Sequence, residues 1–481
     1  MHKYHQILVI MLFINVSACV ITYKAPTPKV NDLFEQPLTR QTIKLHENNN
    51  NSYFPGADSH DNVLYYLDMG MLHFHAGNIH KSNILLSQAE RAIENNFTKS
   101  ITQYASSFIL DDRMLTYNAE EYEDIYLNVF KALNYFQQNN VDAAGVELRR
   151  VNEKLNVLQD KYDKMADQIN HFSDVRKTKR KVKAERINFY NSALSRYLSS
   201  IYYQFEKQYD EARIDIQHAC AAFNQQRSMY NFNKPRYLTV LYQCLTRNRP
   251  RTCFKSKKEK LHLIAFAGRT PEKIAKTYYI VSKKNFIIIA RNQNGSDRMD
   301  IIPWPGIKPG YFFKFSLPHM KKRPDRVKKI VAYINKTPVR LEKLEDLAKV
   351  AIETFNVKKN MIYLKTIVRA TVKGLIAANI KKNIGNKKQK KKNLFEALFF
   401  EGQKAMVDIA MSATENADLR MSSFFPAEAY SGSVSVPPGS YHVKIVYYDC
   451  YNKPIQVKNL GKHIVSKDGL NLIQSSYYDM Y

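Results

Sequence analysis

The sequence predicts an α+β protein: an N-terminal all-α helical solenoid followed by a C-terminal mixed α/β domain that ends in β-hairpins. Three observations lead there. A four-position pattern of small and large residues recurs three times between residues 61 and 219. Past Cys253 the apolar residues gather into short runs rich in Ile, Tyr and Phe, the signature of strands. Charge divides in the same way. The 481 residues carry 73 Lys and Arg against 44 Asp and Glu, a net +29. Residues 251–400 hold 36 basic and 10 acidic side chains (+26), whereas residues 1–250 hold 30 and 26 (+4). With 44% hydrophobic and 12% aromatic residues, sizeable cores can form and disorder throughout is excluded. Only 15 Gly, 17 Pro and 5 Cys exclude collagen-like, low-complexity and disulfide-scaffold classes.

The N-terminus sets the expected compartment. Lys3 is followed by the apolar run Ile7 to Ile14, then Val16-Ser17-Ala18-Cys19. Eight apolar residues rise about 12 Å as a helix, too little for a hydrocarbon core of about 30 Å. The run has the size of a signal-peptide core. It resembles a bacterial lipoprotein lipobox, which implies a signal peptide over residues 1–18 and diacylglyceryl attachment at Cys19. Val20 in place of the Asp that often retains lipoproteins in the inner membrane implies the outer membrane, facing the periplasm. Residues 19–60, with Pro26-Thr27-Pro28, Pro37, the Asn48–Asn51 run and Pro55-Gly56, read as a tether.

Residues 61–250 form the expected helical domain. Gly70, His73, Ser82 and Leu86 share one spacing with Ala132, Tyr135, Ala144 and Leu148, and with Ser200, Tyr203, Ala212 and Ile216. Small residues let antiparallel helices approach, and larger ones fill the space beside them. The pattern resembles the tetratricopeptide repeat (TPR), a helical hairpin of about 34 residues. The anchors Gly70, Ala132 and Ser200 lie 62 and 68 residues apart, so residues 95–120 and 155–190 would be degenerate repeats or longer helices. Tyr65, Tyr66, Tyr202 and Tyr203 could line a groove but are more often inter-helix packing. His73, His75 and His80 straddle a hairpin and read as structural. The basic stretch Arg176–Arg186 reads as a solvated helix face.

Beyond Cys19, four cysteines remain: Cys220, Cys244, Cys253 and Cys450. In an oxidising envelope the candidate disulfide is Cys244–Cys253, worth roughly 3 kcal/mol for so short a loop. No CxxC or nearby His pair accompanies them, so no metal site is expected.

Residues 251–481 form the expected basic domain. Leu261–Phe266, Tyr278–Val281, Phe286–Ala290 and Val327–Ile334 read as strands, with Pro303 to Gly310 a rigid loop. Residues 341–378 read as helical, with Leu344, Leu347, Ala351 and Phe355 on one face and a second helix from about Met361. A Lys-rich linker, Lys381–Lys392, and a helix at Leu394–Ala413 follow. Ser433–Val436, the Pro437-Pro438-Gly439 turn and Tyr441–Tyr448 read as a hairpin with further strands behind it.

Several motifs in order resemble a family of functionally uncharacterised bacterial repeat lipoproteins. They are Asp112-Arg113, Tyr122-Glu123, Asn134-Tyr135 and Glu147 to Arg150. Later come Lys365-Thr366-Ile367 with Arg369 and Lys373, then Thr414-Glu415, Ala417-Asp418 with Arg420, Pro426-Ala427 and the Pro437-Pro438-Gly439 turn. The family usually has Trp two residues after the Arg, where this chain has Ser422. The resemblance implies an envelope lipoprotein with an N-terminal repeat domain and supplies no reaction.

Lys365, Arg369 and Lys373 fall on one helical stripe. Together with Asp418 and Arg420 they are the candidate ion network, with Glu415 and Asp418 as natural carboxylates, or else an anion site. No signature selects a nucleophile and its base, and none asks for a cofactor. The expected function is therefore a non-enzymatic, membrane-anchored scaffold that binds an envelope protein partner. The alternative is binding of a polyanion (peptidoglycan, anionic glycolipid or phospholipid) by the basic domain. An envelope hydrolase ranks third. Nucleic acid is not expected outside the cytoplasm.

Overall fold

The computed structural model describes residues 43, 61–107, 112, 115–175, 185–254, 258–291, 298–386 and 416–477. The leader, Cys19, the tether apart from residue 43, most of Arg176–Arg186, the helix expected at Leu394–Ala413, and Glu415 lie outside these residues. The fold is α+β.

Three helical hairpins come first: α1 (Asn62–His75) with α2 (Ile79–Ser107), α3 (Glu121–Gln137) with α4 (Val141–Val175), and α5 (Ala193–Phe205) with α6 (Tyr209–Gln225). Each closes through the same turn. One residue, seven after the small anchor, adopts a left-handed conformation: Gly77 (φ 71°), Asn139 (φ 55°) and Lys207 (φ 58°). The following N–H then reaches back five residues, Asn78 to His73 O, Asn140 to Tyr135 O and Gln208 to Tyr203 O, at 2.8–2.9 Å. This is the Schellman arrangement, which satisfies the last carbonyls of the first helix. The anchors pack as their spacing predicts. A Cβ on Gly70 would stand 2.7 Å from Leu86 Cδ2 and 3.3 Å from its backbone nitrogen, so α1 and α2 touch there through backbone. Between hairpins, the Tyr202 ring lies on Gly145 and fills the space a side chain would need. Tyr202 and Tyr203 are neighbouring, tilted rings, and Tyr65 meets Tyr66 edge-on. The wide spacing of the anchors comes from long second helices, 29 residues in α2 and 35 in α4.

Short α7 (Arg236–Arg247) and α8 (Pro250–Phe254) end the helical part, joined by the Cys244–Cys253 disulfide. Cys220 is buried and Cys450 exposed, and neither is bridged.

Two sheets follow. β2 (Glu272–Lys283), β3 (Phe286–Ala290), β4 (Arg298–Pro303) and β5 (Phe312–Lys321) make an antiparallel sheet in the order β4-β3-β2-β5. The larger sheet holds β1 (Glu259–Ala267), β6 (Lys329–Ile334), β7 (Thr337–Asp346), β8 (Glu428–Val436), β9 (Gly439–Tyr448), β10 (Pro454–Val465) and β11 (Leu472–Tyr477), in the order β10-β9-β6-β7-β8-β1-β11. Side chains bridge its two ends: Tyr447 OH donates to Ser475 Oγ at 2.9 Å, and Lys458 Nζ donates to Ser476 O. The sheet thereby curls into a near-barrel around Leu263, Ala265, Ile330, Ile445 and Tyr447.

Two expectations change. Residues 341–346 belong to β7, not to a helix, because Leu341 and Glu345 are held in ladders to β6 and β8. The helix begins at Leu347 and runs unbroken as α9 (Leu347–Asn386), so there is no second start near Met361 and the Lys-rich stretch begins inside it. Strands β4, β5 and β7 were not anticipated.

The helical layer does not stand apart from the sheets. Alternate residues of β1 point opposite ways: Leu263 and Ala265 into the near-barrel, Ile264 and Phe266 into the helical core. Phe266 meets Phe74 of α1 and Phe130 of α3, and Phe130 also meets Phe425. The faces of α1, α3 and α5 that a repeat stack turns inward are thus covered by the chain's own C-terminal half. Among the described residues no helix is long and apolar enough to cross a membrane.

Gly70→Val tests the closeness of the first hairpin. Forcing a branched side chain against Leu86 should cost about 1–3 kcal/mol of stability in urea unfolding. An unchanged midpoint would show that the helices can part there freely.

Candidate functional site

Several buried polar residues lie along α3. A surface helix would present them to water, yet Glu120, Glu121, Glu123, Asn128, Lys131 and Asn134 are all buried. Each must therefore find a partner inside, since a buried charge left unpaired is costly. On one side the partners are helical. Glu90 of α2 accepts from Lys131 at 2.6 Å and from Arg150 at 2.9 Å, and Asn128 bridges Glu90 and Glu147. Burial would raise the Glu90 carboxyl, but Lys154 and Lys131 outweigh it and hold it at about 2.

On the other side, the C-terminal half supplies partners as well. Glu120 and Glu123 form a capping box at the α3 N-terminus, with Glu120 N donating to Glu123 Oε2 at 2.8 Å. Glu120 also accepts from Lys273 of β2 at 2.5 Å and Lys358 of α9 at 2.6 Å. Burial works against its charge, and the two lysines still hold its carboxyl at about 2.

The candidate ion network lies next to this pair. Lys365 and Arg369 converge on Asp112, at 2.9 and 3.1 Å. Despite burial, the Arg369 and Lys365 charges keep that carboxyl well below its usual range. Arg420 spends its whole guanidinium. Nε and Nη2 grip Asp418 at 2.9 and 2.8 Å, Nη1 reaches Asp61 at 2.5 Å, and Leu115 O and Asp112 O accept the rest. The Tyr117 ring lies 5.5 Å from it. The two guanidinium side chains are 2–3% exposed, so these are interior ion pairs. Lys373 lies in α9, and its side chain is outside the described set.

Ser422 occupies the centre of a buried acid pair. Its N–H donates to Glu123 Oε1 at 2.6 Å and its hydroxyl donates to Asp68 Oδ1 at 2.6 Å. Ser423 N–H adds a bond to Asp68, while Tyr117 and Tyr122 donate to Glu123. Burial raises the Asp68 carboxyl to about 8 against the pull of Ser422, and burial with the nearby Glu120 charge raises Glu123. A third acid, Glu345 of β7, accepts from Tyr126, Ser192 and Leu194 N at 2.6–2.9 Å. Burial lifts it to about 7.

The histidines also serve packing. His75 bonds Ser476 Oγ and Phe424 O, His73 bonds Asn78, and buried His262 bonds the Tyr197 hydroxyl. Among the described residues no group of three His, Cys, Asp or Glu can hold a metal ion. An open cleft of about 160 Å³ lies between α4, α5 and α6, with Arg149, Asn152, Arg196, Tyr203 and Asp215 on its walls. Burial raises Asp215 to about 6 although Arg196 sits 2.8 Å away.

The carboxylate that takes Lys365 and Arg369 is thus Asp112 and not the expected Asp418, which the Arg420 guanidinium two residues on occupies, and Asp61, Asp68, Glu120, Lys273, Lys358 and Glu345 were not anticipated. In sequence the acidic run Glu120 to Asp124 is like many acidic clusters on helices. Its one legible sign was a capping-box spacing ahead of an apolar helix. Comparison of the chain with protein-family models, curated proteins and solved structures gives no match.

The raised acids make stability depend on pH in a definite direction. Asp68 holds its proton in the folded state from its ordinary value of 3.8 up to about 8. Its contribution is complete below that ordinary value and is lost as pH rises through 8. Glu90 and Glu120 act oppositely, contributing above 4.5 and losing it as pH falls through about 2. Asp68→Asn keeps an oxygen for Ser422 and Ser423 while removing the titration. The wild type should lose stability relative to this variant between pH 5 and 8, by at most about tenfold in the unfolding constant per pH unit. Parallel pH–stability curves would refute a protonated Asp68.

Arg420→Met removes the guanidinium and strands Asp61 and Asp418. A loss of about 3–5 kcal/mol is expected by chemical denaturation.

Proposed function

We propose that the protein is a non-enzymatic scaffold of the cell envelope, lipid-anchored through Cys19 and holding a protein partner on TPR-like helical repeats. In a two-membrane bacterium it would sit on the outer membrane, facing the periplasm. The observation that carries this reading is a recurrence on the outer layer of hairpins. Ile84, Val146 and Ile214 each stand two residues after the second small anchor, on α2, α4 and α6, and are 41–42% exposed. Equivalent apolar side chains left open in three successive repeats make a stripe along the stack, and stacked repeats bind through such extended surfaces. The inward faces of α1, α3 and α5 are filled by the chain's own sheet, so the partner is assigned to the outer helices rather than to an inner groove. Val157, on α4 and 57% exposed, extends the stripe.

Photo-crosslinkers placed beside Ile84, Val146 and Ile214 in cells should capture one protein partner. The triple substitution Ile84→Lys, Val146→Lys, Ile214→Lys should abolish the capture. Labelling with a radioactive fatty acid should depend on Cys19. A label that survives Cys19→Ala, or crosslinks indifferent to the triple substitution, would refute the two halves of the proposal separately.

A further inference from the structure

The β2–β5 sheet has one covered and one open face. Its covered face carries Ile280, Ile287, Ile289, Ile302 and Phe315, all fully buried in the main core. On the open face the strand registers place four apolar residues in a single row. Ile301 of β4 pairs with Ile288 of β3, Ile288 with Val281 of β2, and Val281 with Phe312 of β5. Directly opposed residues share a face, so the row crosses every strand. Its two ends are open to solvent, Ile301 at 51% and Phe312 at 47%, with Met299, two residues before Ile301 on β4, at 43%. Ile288 is its buried floor. Phe312 is held flat against Tyr279, with ring centroids 5.5 Å apart.

Exposed cations flank this row on both sides. On one side Lys283 stands opposite Phe286, and on the other Lys314 stands opposite Tyr279. Arg298 closes the β4 edge beyond Ala290. Lys284 and Lys308 are exposed at the adjoining end, where the β2–β3 turn is tied to the Trp304–Gly310 loop. Trp304 N and Gly306 N bond Asn285, and the Ser282 hydroxyl bonds Lys308 O. Between Lys273 and Lys321 nine side chains are basic and two acidic.

A rigid apolar row between two cationic flanks has the shape of a membrane-surface contact. The aromatic and aliphatic tips enter the acyl boundary while Lys and Arg meet phosphate. We infer that the open face of the β2–β5 sheet docks on the surface of an anionic phospholipid bilayer. The acyl boundary accounts for the apolar row, which a purely polar polyanion such as peptidoglycan leaves unused, and the lipid phosphates account for the cations. The inference narrows the polyanion reading of the basic region to one ligand class and one face. It stands without Cys19 and uses a surface other than the repeat stripe.

Flotation with vesicles tests it, using the full chain carrying Cys19→Ser so that no lipid is attached. Vesicles of phosphatidylethanolamine with phosphatidylglycerol should lift the protein, with binding weakening as salt rises. Vesicles of phosphatidylcholine alone should lift much less. The apolar leader is common to all variants, so differences between them report on the sheet. Phe312→Ser with Ile301→Ser, and separately Lys283→Glu with Lys314→Glu, should each reduce flotation on anionic vesicles about tenfold. Ile84→Ser should float like the parent. Thermal melting identifies any variant that has unfolded, and the charge variant leaves the apolar packing untouched. Equal flotation of the parent and both folded variants, or equal binding to neutral vesicles, would overturn the inference. So would sedimentation with purified peptidoglycan without vesicle binding. None of these outcomes bears on the crosslinking test of the scaffold.

Discussion

Two carboxylates three residues apart, Glu120 and Glu123, hold the C-terminal half onto the helices. They open α3 as a capping box, which fixes where the helix starts and points both acids the same way. From there Glu120 takes ammonium groups from β2 and α9, and Glu123 takes the backbone N–H of Ser422. Three segments distant in sequence thus end on one helix turn. Lys273 also donates to Arg420 O, which connects this turn to the Arg420–Asp418–Asp61 group.

Taking so many charges out of water is expensive, and an apolar joint of equal volume would often be as stable. What the ionic joint adds is selectivity among arrangements. An apolar helix face could slide on a sheet by a turn. Arg420, with its guanidinium committed to two carboxylates and two carbonyls, tolerates one placement. The aromatic cluster of Phe74, Phe130, Phe266 and Phe425 supplies apolar burial at the same joint, so attraction and registration come from different residues. The helical stack therefore spends its inner face on its own chain.

Burial and neighbouring charge act differently on the acids of this joint. Asp68 and Glu123 share Ser422 and have no cation of their own among their bonds, and burial lifts both carboxyls. Glu120, a few residues away, is held ionised by two lysines. The partner within reach decides in which direction the carboxyl shifts. Ser422 fits this setting because its hydroxyl and backbone N–H serve both acids at once.

Local sequence determined what local geometry can enforce. The hairpin register was legible because Gly70 and Leu86 must meet whenever two helices close through a short turn, and the same holds for the other two copies. Cys244 and Cys253 were legible because only eight residues lie between them. The boundary between β7 and α9 was not, since Leu344, Leu347, Ala351 and Phe355 fit a helical stripe, and only the ladders to β6 and β8 take Leu344 into a strand. The joint itself was decided by tertiary structure alone. Lys273 and Glu120 are 153 residues apart and Ser422 and Asp68 are 354 apart, so no periodicity or spacing links them. A buried acid looks in sequence like an exposed one. Only packing removes its water, and with that the need for a partner arises.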